Sequence, residues 1–224
     1  MKENLTEIVA ILDASGSMQG FASDTIGGFN TFVEKQKELD GEANITVTTF
    51  NSIEPAKILF DGVDIKSCTG LSRENYIADG MTPLYDAIGH TIDLVGKRLA
   101  STPEEDRPSK VLFLISTDGM ENCSRDYTQQ KVKSMIEHQK KKYNWEFLFT
   151  AANIDTAAVS SGMNISASMS YNQMNTTGLY ADTFNFVTTN YRSSGVINSL
   201  GDTLDSLSVN NLGDKKDSIP NSSI

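Results

Sequence analysis

Asp13-Ala14-Ser15-Gly16-Ser17 follows directly on the apolar run Ile8-Val9-Ala10-Ile11-Leu12. A carboxylate and two hydroxyls alternate along a turn that leaves a buried strand, so three oxygens fall on one side of a short loop. Hard divalent cations such as Mg²⁺ are bound by oxygens of this kind. Asp, Ser and Gly are also ordinary turn residues, so the pentapeptide gains meaning only if other oxygen donors end neighbouring strands. Val111-Leu112-Phe113-Leu114-Ile115, the most hydrophobic strand candidate, ends in Ser116-Thr117-Asp118-Gly119. With those two strands adjacent, Asp13 and Asp118 converge at one end of a sheet. Two carboxylates about 5 Å apart repel by roughly 3 kcal/mol at an effective dielectric of 20, and a bound cation is the simplest relief. Thr82, at the mouth of a helix, could supply a hydroxyl from a third loop.

The elements that must position these residues alternate between strand and helix. Residues 7–12 read as a fully buried strand. A helix is predicted over 25–39, with Ile26, Phe29, Val33 and Gln36 to Lys37 at helical spacing. Residues 44–50 alternate, with Ile45, Val47 and Thr49 on one face, as a half-buried strand does. A second β-like run at 57–65 is close enough to pair with it as an antiparallel hairpin at a sheet edge. A short polar segment leads to Gly80. Thr82-Pro83 then opens a helix, Thr as N-cap and Pro at the first helical position, with Leu84, Ala87, Ile88, Thr91, Ile92, Val95 and Leu99 as its apolar stripe. An acidic loop over 103–108 precedes the central strand. Further elements are predicted as a helix at 127–142, a strand at 145–151, a short helix at 154–162, a last strand at 165–171 and a closing helix at 177–193. This alternation implies one α/β domain, a mostly parallel sheet covered on both faces. Such sheets bind ligands beyond the carboxyl ends of their strands, where strand order reverses. The domain is assigned to residues 1–199. Residues 200–224, rich in Ser, Asn and Asp, read as a polar tail, weakly ordered or ordered by a partner.

The 224 residues are 38% hydrophobic and 21% charged, enough apolar material for a sizeable core. A formal net charge of −10 leaves no broad basic field for phosphates and argues against nucleic-acid binding. Lys140-Lys141-Lys142 falls where a helix should end and complements its dipole. The N-terminal residues lack a secretion signal and no run is long enough to span a membrane. The two cysteines, Cys68 and Cys123, suit a reducing compartment, so an intracellular, cytoplasmic location is expected.

Asp13, Ser15, Ser17, Thr82 and Asp118 together resemble the metal-ion-dependent adhesion site (MIDAS) of the von Willebrand factor A domain family: Asp-x-Ser-x-Ser, a distant Thr, then an Asp after the central strand. Asp24-Thr25-Ile26-Gly27-Gly28-Phe29-Asn30, Leu84-Tyr85-Asp86-Ala87-Ile88-Gly89 and Thr117-Asp118-Gly119-Met120-Glu121-Asn122 extend the likeness to bacterial and phage single-domain members over about residues 5–195. The resemblance implies a three-layer Rossmann-like fold, mostly parallel with one antiparallel edge strand and helices on both faces. It implies Mg²⁺ as the ion, with Mn²⁺ or Ca²⁺ as alternatives. Ser15 and Ser17 would ligate it directly, Thr82 directly or through water, and Asp13 and Asp118 mainly through waters and by orienting the serines. A protein partner would complete the coordination with a Glu or Asp, and the last helix would shift on binding. Few protein charges touching the ion leave it electrophilic, consistent with an outside carboxylate. Gly16 is expected to permit the first turn and Gly119 to let the chain leave the second.

This points to a non-enzymatic interaction module, or to a structural or assembly component of a phage or bacterial complex, in host cytoplasm or virion. A metal-dependent phosphatase of haloacid dehalogenase type also places an Asp after its first strand. That chemistry needs a second Asp two residues on, where this chain has Ser15. No dinucleotide-binding or P-loop motif is present. Met18 and Met120, beside the two loops, fill gaps or rim a partner surface. Glu121 and Asp126 cap the following helix or border the site, and His90 and His138 lack metal-ligand spacing.

Overall fold

A computed structural model describes residues 1–152, 155–171 and 176–195, with the backbone alone for 171 and 176–181. The expected tail at 200–224 lies outside the described residues. Among those described, six strands form one sheet in the order β3-β2-β1-β4-β5-β6. The strands are β1 (Lys2–Asp13), β2 (Glu42–Phe50), β3 (Lys57–Asp64), β4 (Pro108–Thr117), β5 (Glu146–Ala152) and β6 (Ala167–Tyr171). All neighbours are parallel except β2 and β3, whose antiparallel pairing makes β3 the edge. The helices are α1 (Ala22–Lys37), α2 (Leu84–Ser101), α3 (Gln129–Tyr143), α4 (Thr156–Gly162) and α5 (Thr176–Ser194).

Alternation along the central strands divides the core into two. Ile8, Ala10 and Leu12 of β1 and Leu112 and Leu114 of β4 pack with Phe29, Phe32 and Val33 of α1 and Phe184, Val187 and Tyr191 of α5. Val9, Ile11, Val111, Phe113 and Ile115 face the other way, onto Ile88, Ile92 and Val95 of α2 and Val132 and Ile136 of α3. Burying both faces is what makes β1 and β4 read as unbroken apolar runs. β2 departs from the half-buried expectation, because Thr46 and Thr48 on its second face are buried too. Their hydroxyls bond to Glu7 and Thr91, and those partners make the burial of polar groups tolerable.

β1 begins at Lys2 rather than at Glu7, because Lys2 also pairs with Pro108 at the foot of β4. The segment between β3 and α2 is not merely polar. Ile65, Cys68, Leu71 and Tyr76 are buried, and the Asn30 side chain bonds both the N–H and the carbonyl of Leu71. Strand order reverses between β1 and β4, β2 lying beyond one and β5 beyond the other, so the crevice for a ligand opens where Asp13 and Asp118 emerge. Among the described residues no helix is long and apolar enough to cross a membrane.

Candidate metal centre

The five expected residues come from three chain segments that meet at the carboxyl ends of β1 and β4. Asp13 is the last residue of β1 and 2% exposed. Its Oδ1 accepts the Ser15 N–H at 2.7 Å, and its Oδ2 accepts the Thr117 hydroxyl at 2.5 Å. The Tyr76 hydroxyl donates to the Asp13 carbonyl at 2.5 Å. Both carboxylate oxygens are therefore fixed, one by each loop. Burial pushes the Asp13 carboxyl above its ordinary range, the bonds from Thr117 and Ser15 draw it back, and the neighbouring Asp118 adds to the rise.

The hydroxyls form a chain. Ser15 Oγ and Ser17 Oγ are 3.0 Å apart, and Ser17 donates to Asp118 Oδ1 at 2.6 Å. Ser15 and Asp118 are buried, whereas Ser17 is exposed. Thr82 is placed by Gly119: a Cβ added there would lie 3.2 Å from Thr82 Oγ1 and 3.9 Å from Ser17 Oγ. The two hydroxyls thus flank a space that only glycine leaves open. Gly16 serves a similar end, since its Cβ would press to 3.2 Å of the Gly80 carbonyl, which its N–H already meets at 2.9 Å. Close approach of the 79–80 backbone, rather than a left-handed turn, is what requires glycine at 16.

The chemistry of this donor set fits a hard cation: carboxylates and hydroxyls, all oxygen, converging from rigid strand ends. Among the described residues no group of three or more His, Cys, Asp or Glu gathers as a metal cluster. The hydroxyls therefore distinguish this site from one built on charged or soft ligands.

The expected cap of α2 is corrected. The helix begins at Leu84 with Pro83 in the cap position, so Thr82 lies before it. The exposed N–H groups of its first turn are met from another loop instead. Glu121 Oε2 accepts from Tyr85 N at 3.0 Å and Ser124 Oγ from Asp86 N at 3.1 Å. In return Asp86, 3% exposed, accepts the N–H groups of Arg125, Asp126 and Tyr127. Asn122 closes the seam, bonding Thr82 through Oδ1 to its N–H and through its own N–H to its carbonyl. Glu121 therefore caps α2 and its own loop, not the helix that follows, which is capped by Thr128. Sequence reasoning missed this lattice. An Asp in a first helical turn reads as a dipole complement, and only the structure shows that Asp86 is buried.

The remaining neighbours separate. Met18 is buried and fills a gap, while Met120 is 67% exposed beside Gly119. His90 bonds Asp126 at 3.0 Å and packs edge-on against Tyr127. Both cysteines are free, and burial followed by Glu121 and Asp86 raises the Cys123 thiol, the wrong direction for a nucleophile.

No protein-family model and no curated protein matches the chain. Solved structures do. Proximal thread matrix protein 1 from the mussel byssus, in a structure with a zinc-occupied MIDAS motif, superposes with a TM-score of 0.54 at 14% identity, over 83% of this chain and 47% of that one. Manganese-loaded TRAP protein from Plasmodium vivax gives 0.55 at 15% identity, over 81% of this chain and 74% of that one. This chain thus spans about half the length of the mussel protein. At such identities the likeness is one of fold: the three-layer Rossmann-like arrangement of the von Willebrand factor A domain.

Proposed function

We propose that this chain is a non-enzymatic, metal-dependent protein-interaction module, with Asp13, Ser15, Ser17, Thr82 and Asp118 holding one divalent cation. Mg²⁺ is the first choice, and Mn²⁺ or Ca²⁺ would fit the same oxygens. The observation that carries the reading is the hydrogen-bond chain from Ser15 through Ser17 to Asp118, which ties the two strand ends into one oxygen-lined site. The two fold neighbours whose structures hold zinc in a MIDAS motif and manganese support it.

The geometry supports a role for each residue. Asp118 accepts the hydrogen bond of the Ser17 hydroxyl and so leaves that oxygen's lone pairs for the ion. Asp13 fixes the Ser15 backbone and, through Thr117, the start of the second loop. Thr82 stands in the third segment, held by Asn122 and by the Glu121 cap on α2 behind it. A cation held by neutral hydroxyls keeps most of its charge and offers an electrophilic point to an outside carboxylate. The acid comes, on this reading, from a Glu or Asp of a protein partner. The resemblance in sequence favours, on this reading, a bacterial or phage single-domain type acting in cytoplasm or in a virion.

Isothermal calorimetry with Mg²⁺ and Mn²⁺ on wild type and Asp13→Ala tests the proposal. Wild type is expected to bind one ion and the variant to bind far more weakly. Absence of binding by the wild type, or unchanged binding by the variant, overturns it.

A further inference from the structure

At the opposite end of the sheet from Asp13, the second half of α2, the last turn of α3 and the foot of β4 enclose a cavity of about 520 Å³. That size suits a small organic ligand. Its charge runs against that of the molecule. The chain carries −10 overall, yet Lys97, Arg107 and Lys142 line this wall against one carboxylate, Asp93, which already accepts the Tyr127 hydroxyl at 2.7 Å. Among the described residues neither Lys97 nor Lys142 has a carboxylate partner at ion-pair distance. Arg107 is held in place by bonds from Nε and Nη2 to the carbonyls of Thr102 and Ala100.

The apolar part of the lining is firm: Trp145, 5% exposed and stacked on Phe113 at 5.3 Å, contributes beside Ile92, Leu99 and Val111. Gly96 of α2 lies against the same ring: a Cβ there would be in ordinary contact, 4.0 Å from the indole Cη2 and 3.9 Å from Gln139 Nε2.

We propose that this cavity binds a small anion with an apolar body: the body against Ile92, Leu99 and Val111, and a carboxylate, sulfonate or phosphate met by the Lys97, Arg107 and Lys142 side. The site is independent of the metal centre and of its partner.

Trp145 is the only tryptophan in the chain and lines the cavity, so its emission is the readout of occupancy, and the lysine variant assigns the signal to this site. The full chain is titrated with 1-anilinonaphthalene-8-sulfonate, an aromatic anion, and with uncharged N-phenyl-1-naphthylamine. The sulfonate is expected to quench Trp145 saturably at one site, and the neutral amine to bind about tenfold or more weaker. Lys97→Gln with Lys142→Gln should weaken the sulfonate by a similar factor. Asp13→Ala should leave quenching unchanged. Equal affinity for the neutral amine, or no effect of the double lysine variant, overturns the proposal. Both lysines are exposed, so that variant keeps the fold and decides the matter.

Discussion

β1 carries two buried carboxylates that are accommodated in opposite ways. Glu7, fully buried, has its cation built into the chain: Arg98 reaches it from α2 at 2.7 Å, and Thr46 adds a hydroxyl at 2.8 Å. Asp61 completes the group on the other side of the guanidinium. Asp13, at the far end of the same strand, is just as enclosed, but among the described residues it has only neutral donors and the carboxylate of Asp118 as its neighbour. One end of the strand is electrostatically finished by the fold, and the other collects oxygens without a positive charge. A buried ion pair of the first kind mainly fixes structure. A set of oxygens of the second kind is prepared for something from outside.

The sharpest way to break this contrast is to remove the internal cation. Arg98→Met leaves Glu7 buried without its partner, and should cost about 3 kcal/mol or more in urea unfolding, while affinity for Mg²⁺ or Mn²⁺ stays at the wild-type level. A larger loss of ion binding than of stability would mean that the two ends are not separate.

At the other end the expectation reverses. Saturating ion at 100-fold its dissociation constant should stabilise the wild type by about 2.7 kcal/mol, seen as a rise in melting temperature that a chelator reverses. Asp118→Ala should lose that increment. Asp13→Asn should lose most of it too, yet unfold no more easily than wild type without the ion, because it removes a buried charge that has no cation.

Gly119→Ala is a finer probe. The new methyl would crowd Thr82 Oγ1 at 3.2 Å, displacing a hydroxyl without touching either carboxylate. Ion affinity should fall by about 10-fold, as when a supporting group of a metal site is disturbed, with stability changed by less than about 1 kcal/mol. The smallest expected effect on ion binding belongs to Glu121→Ala. Loss of the cap on α2 should cost about 1 kcal/mol and weaken ion binding severalfold through Thr82. Calorimetry on both variants beside a urea series separates the two readouts.

Legibility from sequence followed the same division. The apolar runs of β1 and β4 and the oxygens that end them could be read directly, since burial on both faces leaves a composition that no loop shares. The β2–β3 hairpin was equally plain from spacing. The start of α2 was misplaced, because Thr-Pro is a good helix opening in isolation, whereas here Glu121 and Ser124 supply the caps from a segment far along the chain. Phe32 and the buried Leu71 and Tyr76 of the loop before α2 also escaped the periodic reading. Their burial depends on which surface covers them, and no local pattern encodes that.

The sequence by itself determined the strand and helix order, the two Asp-bearing strand ends and the oxygen chemistry of the site, because each rests on side-chain type at a fixed local period. Tertiary structure alone decided that Ser17 reaches Asp118, that Gly119 keeps room for Thr82, and that Asp86 and Glu121 lock two loops together. It also decided which carboxylate on β1 has an internal cation and which does not. Those outcomes depend on distances between segments remote in sequence, and such distances are set when the two faces of the sheet are packed.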